Sequence, residues 1–149
     1  MAYELLQEMN EAINRDNVAN KKGLPGMAKL GLVEKLATQM KNTGLQRKFL
    51  EQDGLEMINR FISKLPDGSW PLSSARAKVL ELIFVLPTEL DQLKATNLGR
   101  TLSNLQTSPN EFKANKKIIQ HIKDKWSRKI CNISVDYTRL ENEEVTIFF

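Results

Sequence analysis

Leu72, Ala75, Val79, Leu82, Ile83 and Leu86 recur at i, i+3, i+7, i+10, i+11 and i+14. That spacing draws one apolar stripe, roughly 100° wide, along an α-helix. Leu80 and Phe84 widen the stripe, so the helix is expected to pack against neighbours on two sides. Pro87 has no N–H and restricts Leu86, so the helix must stop there. Thr88, with Asp91 three residues on, is the expected cap of a short following turn. Gly99 interrupts the pattern again, and Leu98, Leu102 and Leu105 restart it with Arg100 and Asn104 on another face. A helix, a Leu-Pro stop, a short helix and a restart at Gly99-Arg100 form a compact, right-angled unit.

The rest of the chain carries the same 3.6-residue signal. Tyr3 to Asp16 reads as a helix with Leu5, Leu6, Met9 and Ile13 inward, and Asn17 to Gly26 reads as turn material. Met27, Leu30, Val33, Leu36 and Met40 mark a second helix, and Leu45 to Gln52 a third, with Gly54 as its C′ residue. Leu55, Ile58, Phe61 and Ile62 mark a fourth; Pro66-Asp67-Gly68-Ser69 is a turn, and Ser73 or Ser74 is the expected cap of the central helix. The last long helix runs from about Asn110 to Ile130, with Phe112, Ile119, Ile122, Trp126 and Ile130 inward and Lys113, Lys116, Lys117 and Lys123 beside them. Ile133, Val135 and Tyr137 alternate as an extended strap would, and Val145 to Phe149 is an apolar end after an acidic run. Helices this short are not stable alone, so they must stack into one all-α bundle with an armadillo- or HEAT-like curl.

At 149 residues the chain suits one domain, expected over residues 1–137, with a C-terminal tail at 138–149. No apolar run approaches the ~20 residues of a membrane span, and no charged-then-apolar leader opens the chain. A single cysteine, Cys131, excludes an intrachain disulfide and a multi-cysteine zinc site, which points to a reducing compartment. The single histidine, His121, is expected on the solvated side of the lysine-rich helix. There is no P-loop, HExxH or GxSxG pattern, so no catalytic residues, metal ligands or cofactor are expected, and an enzyme is disfavoured.

Binding is the open alternative. From Glu111 to Lys129 there are seven Lys/Arg against two acids, although the whole chain carries only +4. Lys113, Lys116, Lys117 and Lys123 read either as a solvated helix face or as a basic patch for nucleic acid or nucleosomes; no exposed aromatic series is expected among them. Arg100 either pairs internally with an acid such as Asp91 or meets a partner's carboxylate beside an apolar groove.

Four motifs in register carry a resemblance: Leu65-Pro66-Asp67-Gly68-Ser69-Trp70-Pro71, Leu86-Pro87, Leu98-Gly99-Arg100 and Trp126-Ser127-Arg128. Over about Tyr3 to Tyr137 the chain resembles the leucine/tryptophan domain of transcription factors, the amino-terminal-type domain of the elongation factor TFIIS. Within that family it is most similar to the conserved core of the Spn-one/Iws-one ("interacts with Spt-six") branch. Asn97, Asn104 and Lys129 depart from the family's usual glycine, aromatic residue and proline. The resemblance implies an irregular right-handed superhelical bundle of about seven to eight short helices. It also implies a monomeric, nuclear, non-enzymatic elongation adaptor that binds a segment of the histone chaperone Spt-six and travels with RNA polymerase II. The family's binding surface maps onto Lys29, Leu55, Arg100 and Asn104.

Overall fold

A computed structural model describes residues 1–133, and among them the chain is all-helical. The order is α1 (Ala2–Lys21), α2 (Ala28–Gln39), α3 (Thr43–Glu51), α4 (Gly54–Ile62), α5 (Ser73–Val85), α6 (Leu90–Lys94), α7 (Leu98–Gln106) and α8 (Lys113–Ile133). As the two-faced stripe implies, α5 is central: α2 lies against one side, α8 against another, and α4 also touches it. Helix α1 closes the bundle over α2, α3 and α4, while α7 bridges α4 and α8. Val79, Leu80, Ile83 and Leu86 of this centre are buried, together with Phe49, Phe61 and Trp126. Each such side chain gains about 1.5–3 kcal/mol on leaving water. Trp126 is 1% exposed, as its place on the α8 stripe predicts.

Several local expectations need correction. Helix α1 runs to Lys21 rather than Asp16, because nothing in Asn17-Val18-Ala19-Asn20 breaks a helix. Gly23, two residues beyond its end, has a φ of +72° that lets Leu24 N–H reach the Ala19 carbonyl at 2.9 Å and Gly23 N–H reach that of Asn20 at 3.0 Å. Gly54 is not the C′ residue of α3 but the first residue of α4; the left-handed position is Asp53, at φ 60°. Glycine is required at 54 because a Cβ there would overlap the Phe49 ring. Neither Ser73 nor Ser74 caps α5, whose N-cap is Leu72. The box before α6 is formed by Glu89 and Gln92, with Thr88 buried behind it, not by Thr88 and Asp91. Asn97 opens α7 at φ −95°, so no left-handed turn is used there.

Four apolar residues assigned to the core are on the surface: Met27 (54% exposed), Leu72 (46%), Phe84 (39%) and Phe112 (60%). Met27 and Leu72 occupy N-cap positions, and Phe112 directly precedes α8. A helical stripe extrapolated beyond the helix no longer describes which way a side chain faces. Helix α8 itself starts at Lys113 and takes in Asn132 and Ile133. The remainder of the expected strap, Val135 and Tyr137, and the tail 138–149 with its apolar Val145 to Phe149 lie outside the described residues.

Candidate functional site

The loop after α1 and the turn before α5 enclose a cleft of about 190 Å³, walled by Leu24, Met27, Trp70 and Leu72, with Asp16 and Lys29 among its lining. Its geometry begins with Asp16. Met27 offers no side-chain cap to α2, so Asp16 reaches across from α1 and accepts from Ala28 N–H at 2.8 Å and Lys29 N–H at 3.1 Å. A carboxylate at a helix start satisfies two free donors and favours the helix dipole. The other wall is the Pro66–Ser69 turn. Leu65 N–H donates to the Ser69 carbonyl at 2.7 Å, and Asp67 accepts from Ser69 N–H at 2.9 Å. Asp67 N–H in turn donates to Asn20 Oδ1 of α1 at 3.0 Å, tying the turn to that helix.

Lys29 is 3% exposed, and its ammonium stands 5.7 Å from the Phe61 ring centroid. Among the described residues it has no ion-pair or hydrogen-bonded acceptor. Burial lowers its pKa, and the charge of Asp16 offsets part of that effect.

Leu55, Arg100 and Asn104 belong to a different part of the molecule. Leu55 is buried at the start of α4 and lines a depression of about 20 Å³ with Glu56, Gln92 and Thr96. Leu98, Leu102 and Leu105 are wholly buried, which turns Arg100 and Asn104 of α7 outward; both are exposed. Arg100 pairs neither with Asp91 nor with any other described residue. A polar seam fixes α7 beside α4: Thr101 Oγ1 donates to Asn59 Oδ1 at 2.6 Å, and Asn59 Nδ2 to Glu56 Oε1 at 2.8 Å. The Lys29 cleft and the Leu55 depression share no lining residue. They lie towards opposite ends of α4, with Phe61 under Lys29 and Leu55 about 9 Å away along the axis.

The lysines of α8 also divide. Lys113 and Lys117 are exposed, whereas Lys116 and Lys123 are half-buried towards α7, where Lys123 Nζ donates to Gln106 Oε1 at 2.6 Å. His121 is exposed with its ring 6.4 Å from that of Phe84, and Cys131 is half-buried. Among the described residues no cluster of His, Cys, Asp or Glu could hold a metal ion, and no helix is long and apolar enough to cross a membrane.

Two polar arrangements were not anticipated from sequence. Asp16 continues the stripe of Leu5, Met9 and Ile13, a buried position that should have signalled a capped partner. Arg76, between Ala75 and Val79 of the central stripe, is buried in a two-pronged pair with Glu111: Nε to Oε2 and Nη2 to Oε1, each 2.8 Å.

Comparison with known proteins agrees with this architecture. Residues 78–130 match the family model described as Med26, a TFIIS helical bundle-like domain. Protein IWS1 homolog 1 of Arabidopsis thaliana is 30% identical over 148 residues, covering 95% of this chain and 30% of that protein. Transcription factor IWS1 of Candida albicans is 28% identical, covering 89% and 33%. The chain thus spans about a third of the length of the curated relatives it matches. In structure it is similar to a Spt6-Iws1(Spn1) complex from Encephalitozoon cuniculi, with a TM-score of 0.83 at 22% identity, covering 87% of this chain and 95% of that one.

Proposed function

We propose that this chain, which belongs to the IWS1 family of TFIIS-type helical domains, is a non-enzymatic adaptor that binds a short segment of an Spt6-type histone chaperone. Its setting on this reading is the nucleus, where it accompanies RNA polymerase II through its partner, as a monomer without a cofactor. The observation that carries the proposal is Arg100. It is exposed and, among the described residues, unpaired, one turn from Asn104, on a helix bonded to α4 beside the depression at Leu55. A guanidinium so placed can grip a carboxylate with two parallel bonds while apolar anchors of the partner settle towards Leu55. Lys29 lines a separate cleft at the other end of α4, which on this reading would take a second part of the partner segment. The Spt6-Iws1(Spn1) pairing in the structural neighbour is the reason for choosing this partner class.

The test is Arg100→Asp, titrated calorimetrically with an Spt6 fragment and melted in parallel. Reversal sets two acids against each other at the interface, a penalty of several kcal/mol. Binding should be lost with the thermal midpoint almost unchanged, because among the described residues Arg100 has no partner to lose. Normal binding, or binding lost only together with the fold, ends the proposal.

A further inference from the structure

Helix α8 presents a face that this partner-binding reading does not use. Lys113, Lys117, His121, Lys125 and Lys129 follow one another four residues apart. They therefore form one ridge, with steps of about 6 Å along the axis and a total length of about 24 Å. Lys113, Lys117 and His121 are exposed, and Lys125 and Lys129 are half-buried where the ridge turns towards α5. Arg128 stands exposed alongside. Among the described residues Lys113, Lys117 and Arg128 form no ion pair. Among the described residues the acids beside the ridge compensate little: Asp124 accepts from Gln120 Nε2 at 2.9 Å, and Glu89 reaches Lys129 only at 3.9 Å. Burial and the charge of Lys129 both lower the pKa of Lys125.

Two aromatic residues that the sequence assigned to the core are exposed beside this ridge, Phe84 against its His121–Lys125 stretch and Phe112 just before Lys113. Phe84 is 39% exposed, its ring 6.4 Å from that of His121 and 5.2 Å from the Lys125 ammonium. Lys125 Nζ also donates to the Phe84 carbonyl at 2.5 Å, which fixes the cation over the ring. Phe112, 60% exposed, stands at the foot of the ridge beside Lys113.

We propose that the α8 ridge binds single-stranded nucleic acid, its cations tracking the phosphates while Phe84, His121 and Phe112 offer ring faces to unstacked bases. Cations and rings along one line are what a single strand needs. A duplex keeps its bases stacked inside and would leave the rings idle. An acidic peptide would use the cations but gives the rings no comparable role.

The probe is a fluorescently labelled oligouridylate of about 12 nucleotides, within the range of single-strand sites, added to the whole chain and followed by anisotropy across a salt series. Each ammonium that neutralises one phosphate contributes about 0.7 to the slope of log affinity against log salt. The triple variant Lys113→Gln, Lys117→Gln, Lys125→Gln should therefore reduce that slope by about 2 and weaken binding at least about tenfold at low salt. Phe84→Ala should cost about fivefold or more and leave the slope unchanged. Arg100→Asp should leave oligouridylate binding unaltered, which separates this face from the partner site. Far-ultraviolet melting of each variant confirms that the fold persists. Absence of binding at about 50 mM salt, or equal binding by the wild type and a folded triple variant, overturns the proposal. So does a polyglutamate peptide that binds as tightly as the oligonucleotide while Phe84→Ala has no effect, since the face would then serve an acidic protein.

Discussion

Glu111→Gln should destabilise the fold far more than its single changed atom suggests. The Glu111 side chain is fully buried, and that of Arg76 is 10% exposed. Glu111 accepts both guanidinium bonds, and also Phe112 N–H at 2.8 Å and Asn115 Nδ2 at 3.2 Å. Arg76 further donates to the Pro71 carbonyl, so the pair ties the start of α8 to the turn before α5. Glutamine keeps one acceptor oxygen but leaves the guanidinium charge buried without a counter-ion, a loss of about 3–5 kcal/mol for pairs of this kind. For a domain of this size 1 kcal/mol moves the midpoint by about 2–4 °C, so calorimetry should show a fall of roughly 6–20 °C. Adding Arg76→Met removes the stranded charge and should restore part of the loss. The pH dependence has a definite sign. Burial would raise the Glu111 pKa, but its bonds from Arg76, Phe112 and Asn115 outweigh burial and hold it below the ordinary 4.5. Such a depressed carboxylate stabilises the fold above its unfolded value, and the contribution is lost as pH falls through the folded value. The gap between wild type and Glu111→Gln should therefore narrow in acid. A midpoint shift below about 2 °C at neutral pH, or a double variant as unstable as the two singles added, would refute the coupling.

Other expectations follow from the same packing. Trp126→Ala should cost about 3–5 kcal/mol, because its indole is 1% exposed between α8 and the core; a melt altered by only a degree or two would contradict that burial. Gly54→Ala should lower stability by about 1–3 kcal/mol through overlap with Phe49, whereas Asp53→Gly, at φ 60°, should raise the urea midpoint. Lys29→Met should melt higher than wild type at pH 7, because a Lys pKa lowered by burial disfavours the charged folded state. That advantage should shrink as pH rises through the folded Lys29 value towards 10.5, and no difference at pH 7 would argue against a desolvated ammonium. Changing Lys113, Lys116, Lys117 and Lys123 together to Gln should leave Spt6-fragment binding nearly intact; its loss in a folded variant would move the partner site onto α8.

The helices were legible because burial leaves a period. Leu98, Leu102 and Leu105 are enough to place α7 and to turn Arg100 and Asn104 outward. The termini were less legible, because a cap depends on one local geometry that several residues can supply. Asn42 caps α3 through its side chain at 3.0 Å. Leu72 has no such group and still precedes α5, while α2 draws its cap from Asp16, twelve residues back in sequence from Ala28. Periodicity carries no record of such distant bonds.

The candidate surfaces divide along the same line. Arg100 could be read as outward by elimination, since its neighbours on α7 satisfy the core. Lys29 could not, because burial of an ammonium depends on a ring in α4 and a carboxylate in α1, each far away in sequence. Arg76 shows the same limit: the stripe places it at the core, but only its bonds to Glu111, thirty-five residues on, explain how a cation is kept there. Phe84 and Phe112 show the converse. Their apolar character suggested burial, yet Phe84 lies in the last turn of α5 with only His121 and Lys125 of α8 against its ring, and Phe112 stands just before α8 begins, so both remain exposed. Arg76 is answered within the fold by Glu111, whereas Lys29, Phe84 and Phe112 lie at surfaces proposed for binding. A fold can satisfy its interior through periodic apolar residues alone; polar groups drawn inside and rings left outside cost stability, and that cost is most readily explained where the molecule meets something else.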